Sequence, residues 1–207
     1  MECEPVSIDE LVANGIKIVV MDQMGVITPL SYLGRLQYDL RVNGHRLHEA
    51  QGCDARELVA RLGTQYVGKA PETDEECAQL ACAVADALDQ DYRRPDEQAL
   101  RARVNSASIR AGDLAGQILP YFPDFYRRLQ QRYIGLAVFS SLPAELSRLI
   151  LTHTPDGDLT SFMERFFDTS LGLKTEQRTY LAIAEMLGQL PEKLSYISDS
   201  QPEVTAA

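Results

Sequence analysis

The chain has 207 residues, enough for one domain or for one domain carrying a smaller inserted one. Its 45% hydrophobic content is that of an ordinary soluble globular protein, no apolar run reaches the ~18 residues of a membrane span, and the N-terminal MECEPVSIDE is acidic rather than signal-like. A net charge of −10 argues against general binding to nucleic acid and for a cytoplasmic protein, but it leaves room for an anionic substrate, because a local site can be positive within an acidic surface.

The first element is IKIVVMD, Ile16 to Asp22. It is short, β-branched and almost continuously apolar, the pattern of a strand buried on both faces. From about Tyr32 to Ile109 no strand pattern follows, and roughly 75 residues read as helical. Two stretches stand out there: DARELVARLGTQYV, starting at Asp54, and TDEECAQLACAVADALDQDYRR, starting at Thr73-Asp74. Both start on good N-cap types.

Beyond the insertion, strand and helix alternate. The helical PDFYRRLQQRY leads into the strand IGLAVFSS, Ile134 to Ser141. PAELSRLILTHT follows, with Pro143 suited to a helix first turn, and then a weaker strand, RFFDTS, Arg165 to Ser170. TEQRTYLAIAEMLG is helical and closes at Gly188, and LSYISDS, Leu194 to Ser200, is the last strand. This alternation implies an α/β fold with a parallel sheet and helices on both faces.

Ligands of such sheets bind beyond the carboxyl ends of the strands. There the sequence places Asp22, Ser140 with Ser141, Asp168, and Ser198 with Asp199. Elsewhere the candidates are weaker. Cys3, Cys53, Cys77 and Cys82 form no CxxC pair and read as reduced thiols. His45 and His48 share a helix spacing but lack a third ligand, which suits ordinary surface residues. Tyr32, Arg35 and Tyr38 enter the insertion, where they could line a pocket or pack its core.

Four stretches resemble the haloacid dehalogenase (HAD) superfamily, and most of all its enolase-phosphatases of methionine salvage. DQMGVITPLSY (Asp22 to Tyr32) resembles that family's D-x-E-G-T-T-T-P-x-S-F, and VFSSLPAE (Val138 to Glu145) its Y-S-S-G-S segment. FFDTSLGLKTEQRTYLAIAEMLG (Phe166 to Gly188) resembles F-D-T-x-x-G-x-K-x-E-x-x-S-Y-x-x-I-A-x-x-L-G, and SYISDSQPEVTAA (Ser195 to Ala207) resembles F-x-S-D-x-x-x-E-x-x-A-A. The likeness runs through residues 1–29 and 111–207, which it makes a HAD-like Rossmannoid core. It fades in residues 30–110, which it makes a helical cap.

The resemblance implies roles as well. Asp22 matches the nucleophile and, with Asp199 and the backbone carbonyl of Met24, the ligands of one Mg²⁺. Ser140 and Ser141 match the phosphate cradle, and Lys174 the cationic clamp, which also touches the phosphate. The Gly25 turn lets the backbone approach that group closely. Asp168 braces a loop rather than touching substrate. The implied partner is a small phosphorylated metabolite, with no nucleic acid or membrane involved and the oligomeric state left open.

The chain also departs from that pattern. Met24 stands where the family has the glutamate that protonates the leaving group and activates water. Val26 replaces a threonine, Leu142-Pro143 replaces a glycine-serine pair, and the chain stops at Ala207, where relatives continue with a further strand and helix. Three readings follow: a phosphohydrolase with altered acid/base chemistry, a HAD-fold enzyme whose leaving group needs no proton, or a catalytically silent binding or regulatory protein.

Overall fold

The structure is a computed structural model that describes residues 7–49, 52–92 and 94–207, so Cys3 lies outside it. The chain divides into two compact units, Met1–Pro29 with Gln117–Ala207, and Leu30–Gly116. No helix of the described residues is long and apolar enough to cross a membrane.

In the first unit α1 (Ile8–Ala13) leads into β1 (Ile18–Met21). After the second unit the chain returns through α6 (Phe122–Gln131), β2 (Gly135–Ser140), α7 (Ala144–Thr152), β3 (Met163–Asp168), α8 (Gln177–Met186), β4 (Leu194–Ile197) and α9 (Gln201–Ala206). The four strands form one parallel sheet in the order β3-β2-β1-β4. Every residue of β1, and all of β2 after Gly135, is buried, so both faces of these central strands are covered. That is why they read as continuous apolar runs rather than as alternating ones.

On one face Ile18, Val20, Ala137, Phe139 and Phe167 pack with Tyr180 and Ile183 of α8. The aromatic edge contacts among Phe139, Tyr180 and Tyr196 put a rigid floor there. The third strand begins at Met163, two residues before the apolar pattern suggests, because its outer half is exposed and lacks the apolar signal.

The second unit holds helices and no strand among its described residues: α2 (Tyr32–Val42), a 3₁₀ turn over Gly44–Glu49, α3 (Cys53–Val67), α4 (Asp74–Gln90) and α5 (Pro95–Ala111). Thr73 caps α4 in a reciprocal box with Glu76, as its sequence position suggests. The start of α3 differs from expectation: the helix begins at Cys53 with Gly52 at the cap, and Asp54 sits inside the first turn, where its charge still favours the helix dipole. Leu40, Leu58, Leu62, Leu80, Val84 and Leu100 fill this unit's core.

Candidate active site

The sheet order puts the carboxyl end of β1 between those of β2 and β4. Asp22 leaves β1 there, and its N–H donates to the Ile197 carbonyl at 2.9 Å, so the backbone of β4 fixes it. The next residues form a tight loop in which Ile27 and Thr28 N–H both donate to the Gln23 carbonyl, at 2.9 and 2.7 Å, and Gly25 N–H donates to the Thr28 carbonyl at 2.7 Å. Gly25 adopts φ +84°, which L side chains rarely take up. A Cβ there would also collide with the Asp199 carboxylate. The loop after β4 thus brings Asp199 onto the peptide that follows Met24.

Lys174 reaches the same point from the loop between β3 and α8. Its ammonium is 2.6 Å from Asp22 Oδ2 and 2.7 Å from Glu203 Oε2, with side-chain exposures of only 5% for the lysine and 9% for the aspartate. It also stands 5.7 Å above the Phe139 ring centroid, a cation–π placement. Glu203 Oε2 in turn accepts from Tyr196 Oη and Ser198 Oγ, each at 2.8 Å. Tyr180 Oη donates to the Lys174 carbonyl at 2.6 Å. The tyrosines that floor the sheet therefore also hold the lysine backbone and its glutamate.

Burial pushes the Asp22 carboxyl above its ordinary value, and the neighbouring Lys174 pulls it partly back. One ammonium faces two carboxylates, Asp22 buried and Glu203 half-buried, so the trio is short of positive charge. Asp199 adds a third acid that makes no hydrogen bond or ion pair among the described residues. The Met24 carbonyl accepts no backbone hydrogen bond either. Two carboxylates and a free carbonyl around a local negative excess could hold a hard divalent cation, which takes few protein oxygens and keeps several waters.

The other expected residues fall at the same strand ends. Ser140 ends β2, is fully buried, and its Oγ accepts the Leu142 N–H at 3.1 Å, which leaves its own proton to donate. Ser141 is exposed. Asp168 closes β3, with Oδ2 accepting Ala144 N–H at 2.8 Å and Oδ1 accepting Ser170 N–H at 2.9 Å. Burial alone would raise its carboxyl, but the hydrogen bonds from Ser170 and Ala144 outweigh that and hold it below the usual value. Asp168 is thus a brace between β3 and α7.

Glu203 is not among the residues singled out from the sequence. Its signal was its place four residues beyond Asp199, in the first turn of α9, within a stretch already matched to the family pattern.

The remaining candidates belong to the helical unit. His48 Nδ1 pairs with Asp74 Oδ1 at 2.8 Å on the surface, and no group of three or more ligating side chains occurs among the described residues. Cys53 and Cys82 are exposed free thiols, and Cys77 is buried. Tyr32 is a core residue whose Oη donates to the Ala115 carbonyl at 3.1 Å, whereas Arg35 and Tyr38 line a groove of about 460 Å³ on the helical unit.

No family model matches the chain. Over 198 residues it is 26% identical to the enolase-phosphatase E1 of Persephonella marina, covering 93% of this chain and 84% of the relative. The crystal structure of the UTR4 protein of Saccharomyces cerevisiae superposes with a TM-score of 0.68 at 20% identity, covering 92% of this chain and 84% of that one. L-2-haloacid dehalogenase from Xanthobacter autotrophicus superposes at 0.51 with 18% identity, covering 92% and 73%. The chain has the haloacid dehalogenase fold and is enolase-phosphatase-like in sequence along most of its length.

Proposed function

We propose that the chain is a HAD-type phosphohydrolase acting on a small phosphorylated metabolite, with Asp22 as nucleophile and with acid/base chemistry altered by Met24. The observation that carries this reading is the Asp22–Lys174–Glu203 trio at the carboxyl end of the central strand, in which a buried carboxylate and a buried ammonium, groups costly to desolvate and concentrated at functional sites, face one another. The helical unit, inserted directly after the strand that delivers Asp22, is the cap of this reading.

In that reaction an Asp22 oxygen attacks phosphorus, the ester oxygen departs, and an aspartyl-phosphate forms. Lys174 offsets the charge that develops on the phosphoryl oxygens, and Glu203 with Tyr196 keeps its ammonium in place. The Ser140 hydroxyl donates a hydrogen bond to the phosphoryl group, and Ser141 follows it in the chain. Bound Mg²⁺, held by Asp22, Asp199 and the Met24 carbonyl, would draw off phosphoryl charge.

Met24 changes both halves of the cycle, since a thioether neither gives nor takes a proton. Leaving groups that are stable as anions, such as enolates, carboxylates or aryl oxides, depart without an acid, and alkoxides do not. The same residue favours the second reading, a HAD-fold enzyme whose chemistry never needed that acid.

The test is a titration with beryllium fluoride, a mimic of the phosphoryl group on an aspartate, with and without Mg²⁺. Tight, Mg²⁺-dependent binding that is lost in Asp22→Asn supports the proposal. Absence of binding under all conditions, in a folded protein, points to the silent reading.

A further inference from the structure

The helical unit contains a buried cation that nothing around it neutralises. Arg101, on α5, is 7% exposed and makes no hydrogen bond or ion pair among the described residues. An arginine cannot escape by losing its proton, and a buried unpaired charge is among the costliest features a fold can carry. Desolvation does depress its proton affinity, with no neighbouring charge acting the other way.

The acids that could have served it are engaged elsewhere. Glu97, one turn before Arg101, accepts from Tyr66 Oη at 2.5 Å and lies 3.8 Å from Arg94. Asp39 of α2 accepts from Asn43 and Asn105, at 2.7 and 2.8 Å.

Arg101 is not an isolated oddity. Asn105 and Ser108 follow it at i+4 and i+7, on the same face of α5, over about 10 Å of helix. Both are fully buried, and each keeps an orphaned polar atom, Oδ1 of Asn105 and Oγ of Ser108, next to the orphaned Nε of Arg101 along the stripe. The Asn105 amide is locked in orientation because its Nδ2 donates to the Leu36 carbonyl at 2.9 Å as well as to Asp39, so Oδ1 is left as an acceptor. Among the buried side-chain atoms without a hydrogen-bond partner, these three fall in one row on α5, and buried polar atoms in native folds are nearly always satisfied.

We propose that this stripe binds a small hydroxylated oxyanion without help from Asp22 or Lys174. Its charged group, a carboxylate or a phosphate, pairs with the Arg101 fork, and its hydroxyl donates to Asn105 Oδ1. The Ser108 hydroxyl can serve either partner. The planar guanidinium suits bidentate recognition of such groups.

The experiment uses the full chain without Mg²⁺ and reads binding, so it does not depend on whether the chain is a phosphatase. Thermal denaturation is followed with rising inorganic phosphate and, separately, rising glycerate, for the wild type, Arg101→Met and Lys174→Met. At least one probe should raise the wild-type midpoint by about 5 °C near saturation. The response should survive in Lys174→Met and vanish in Arg101→Met. A phosphate-only or glycerate-only response identifies the class of anion.

Without any anion, Arg101→Met should be at least as stable as the wild type, because it removes an unpaired charge. A response that persists in Arg101→Met, or that disappears only in Lys174→Met, overturns the proposal, as does a wild type indifferent to both probes. If Arg101→Met does not fold, the Arg101 Nε–H resonance of the wild type decides. A shift that saturates with the anion supports the site, and an unmoved resonance overturns it.

Discussion

The Lys174 ammonium lies 2.7 Å from Glu203 Oε2, so the lysine that faces Asp22 is anchored from behind by a second carboxylate. The same oxygen also receives the Tyr196 and Ser198 hydroxyls, which makes Glu203 the acceptor for three donors at once. Glu203→Ala would strip all three. It should destabilise the fold by about 2–4 kcal/mol, the scale on which a buried charge and its hydrogen bonds lose a partner. Glu203→Gln keeps an acceptor and should cost less, while lowering kcat by about ten-fold through a looser Lys174. Urea denaturation and steady-state rates check both. An alanine variant with wild-type stability and rate would show that the anchor is idle.

Gly25 should resist substitution for two separate reasons, its φ of +84° and the Asp199 carboxylate packed against its Cα. Gly25→Ala pays about 1–2 kcal/mol for the left-handed backbone alone. It must also displace the Asp199 carboxylate, one of the proposed Mg²⁺ ligands. Weaker Mg²⁺ affinity should therefore accompany the loss of stability, and calorimetric titration with Mg²⁺ measures it. A stability loss with unchanged Mg²⁺ affinity would separate Asp199 from the metal.

Much of this architecture was legible in the residues. The buried runs Ile18–Met21 and Gly135–Ser140 announced central strands because both their faces are covered, and Asp22 and Ser140 followed as strand-end residues. The exposed outer half of β3 carried no such signal, so its start at Met163 was not readable. Glu203 was hidden for a different reason. A glutamate in the first turn of a helix is usually a solvated charge near the dipole, and only the fold brings Lys174 to it from 29 residues earlier. Arg101 was equally silent, since an arginine within PDEQALRARVNSASIRA gives no sign that α5 is buried on most of its circumference.

Asp168 offers a pH-dependent test away from the proposed chemistry. Its folded carboxyl titrates below the usual value, so the folded state holds the ionised form more tightly than the unfolded chain does. The stability it adds is therefore complete above the unfolded value of about 4 and is lost as pH falls through the lower folded one. Asp168→Asn should cost about 1 kcal/mol at neutral pH, on the scale of a side chain that caps backbone N–H groups. The difference between the two proteins should shrink below about pH 4. Thermal melts from pH 3 to 7 would show this, and a difference that stays constant across the range would remove Asp168 as the brace between β3 and α7.

Met24 is where the altered chemistry proposed for this chain can be undone. Its side chain is buried in the loop between Asp22 and Gly25, so Met24→Glu places a carboxyl in a poorly solvated position. Burial favours the neutral form of such a group, and a raised proton affinity is what a general acid needs near neutral pH. The variant should gain at least ten-fold on a simple alkyl phosphate with Mg²⁺ present, a modest share of the ~10²–10⁴ that a placed acid/base supplies. On an aryl phosphate, whose leaving group needs no proton, the gain should be much smaller in the first step. Hydrolysis of the aspartyl-phosphate should speed up with either substrate, because the glutamate can now activate water. The wild type should accordingly build up phosphoenzyme, detectable by intact mass after acid quench, and Met24→Glu should not. The gain carries a stability cost of about 1–3 kcal/mol for the buried carboxyl. If the wild type already cleaves alkyl and aryl phosphates at equal rates, Met24 is no handicap. If neither protein cleaves either substrate while both remain folded, Asp22 is not a phosphoryl acceptor in this chain.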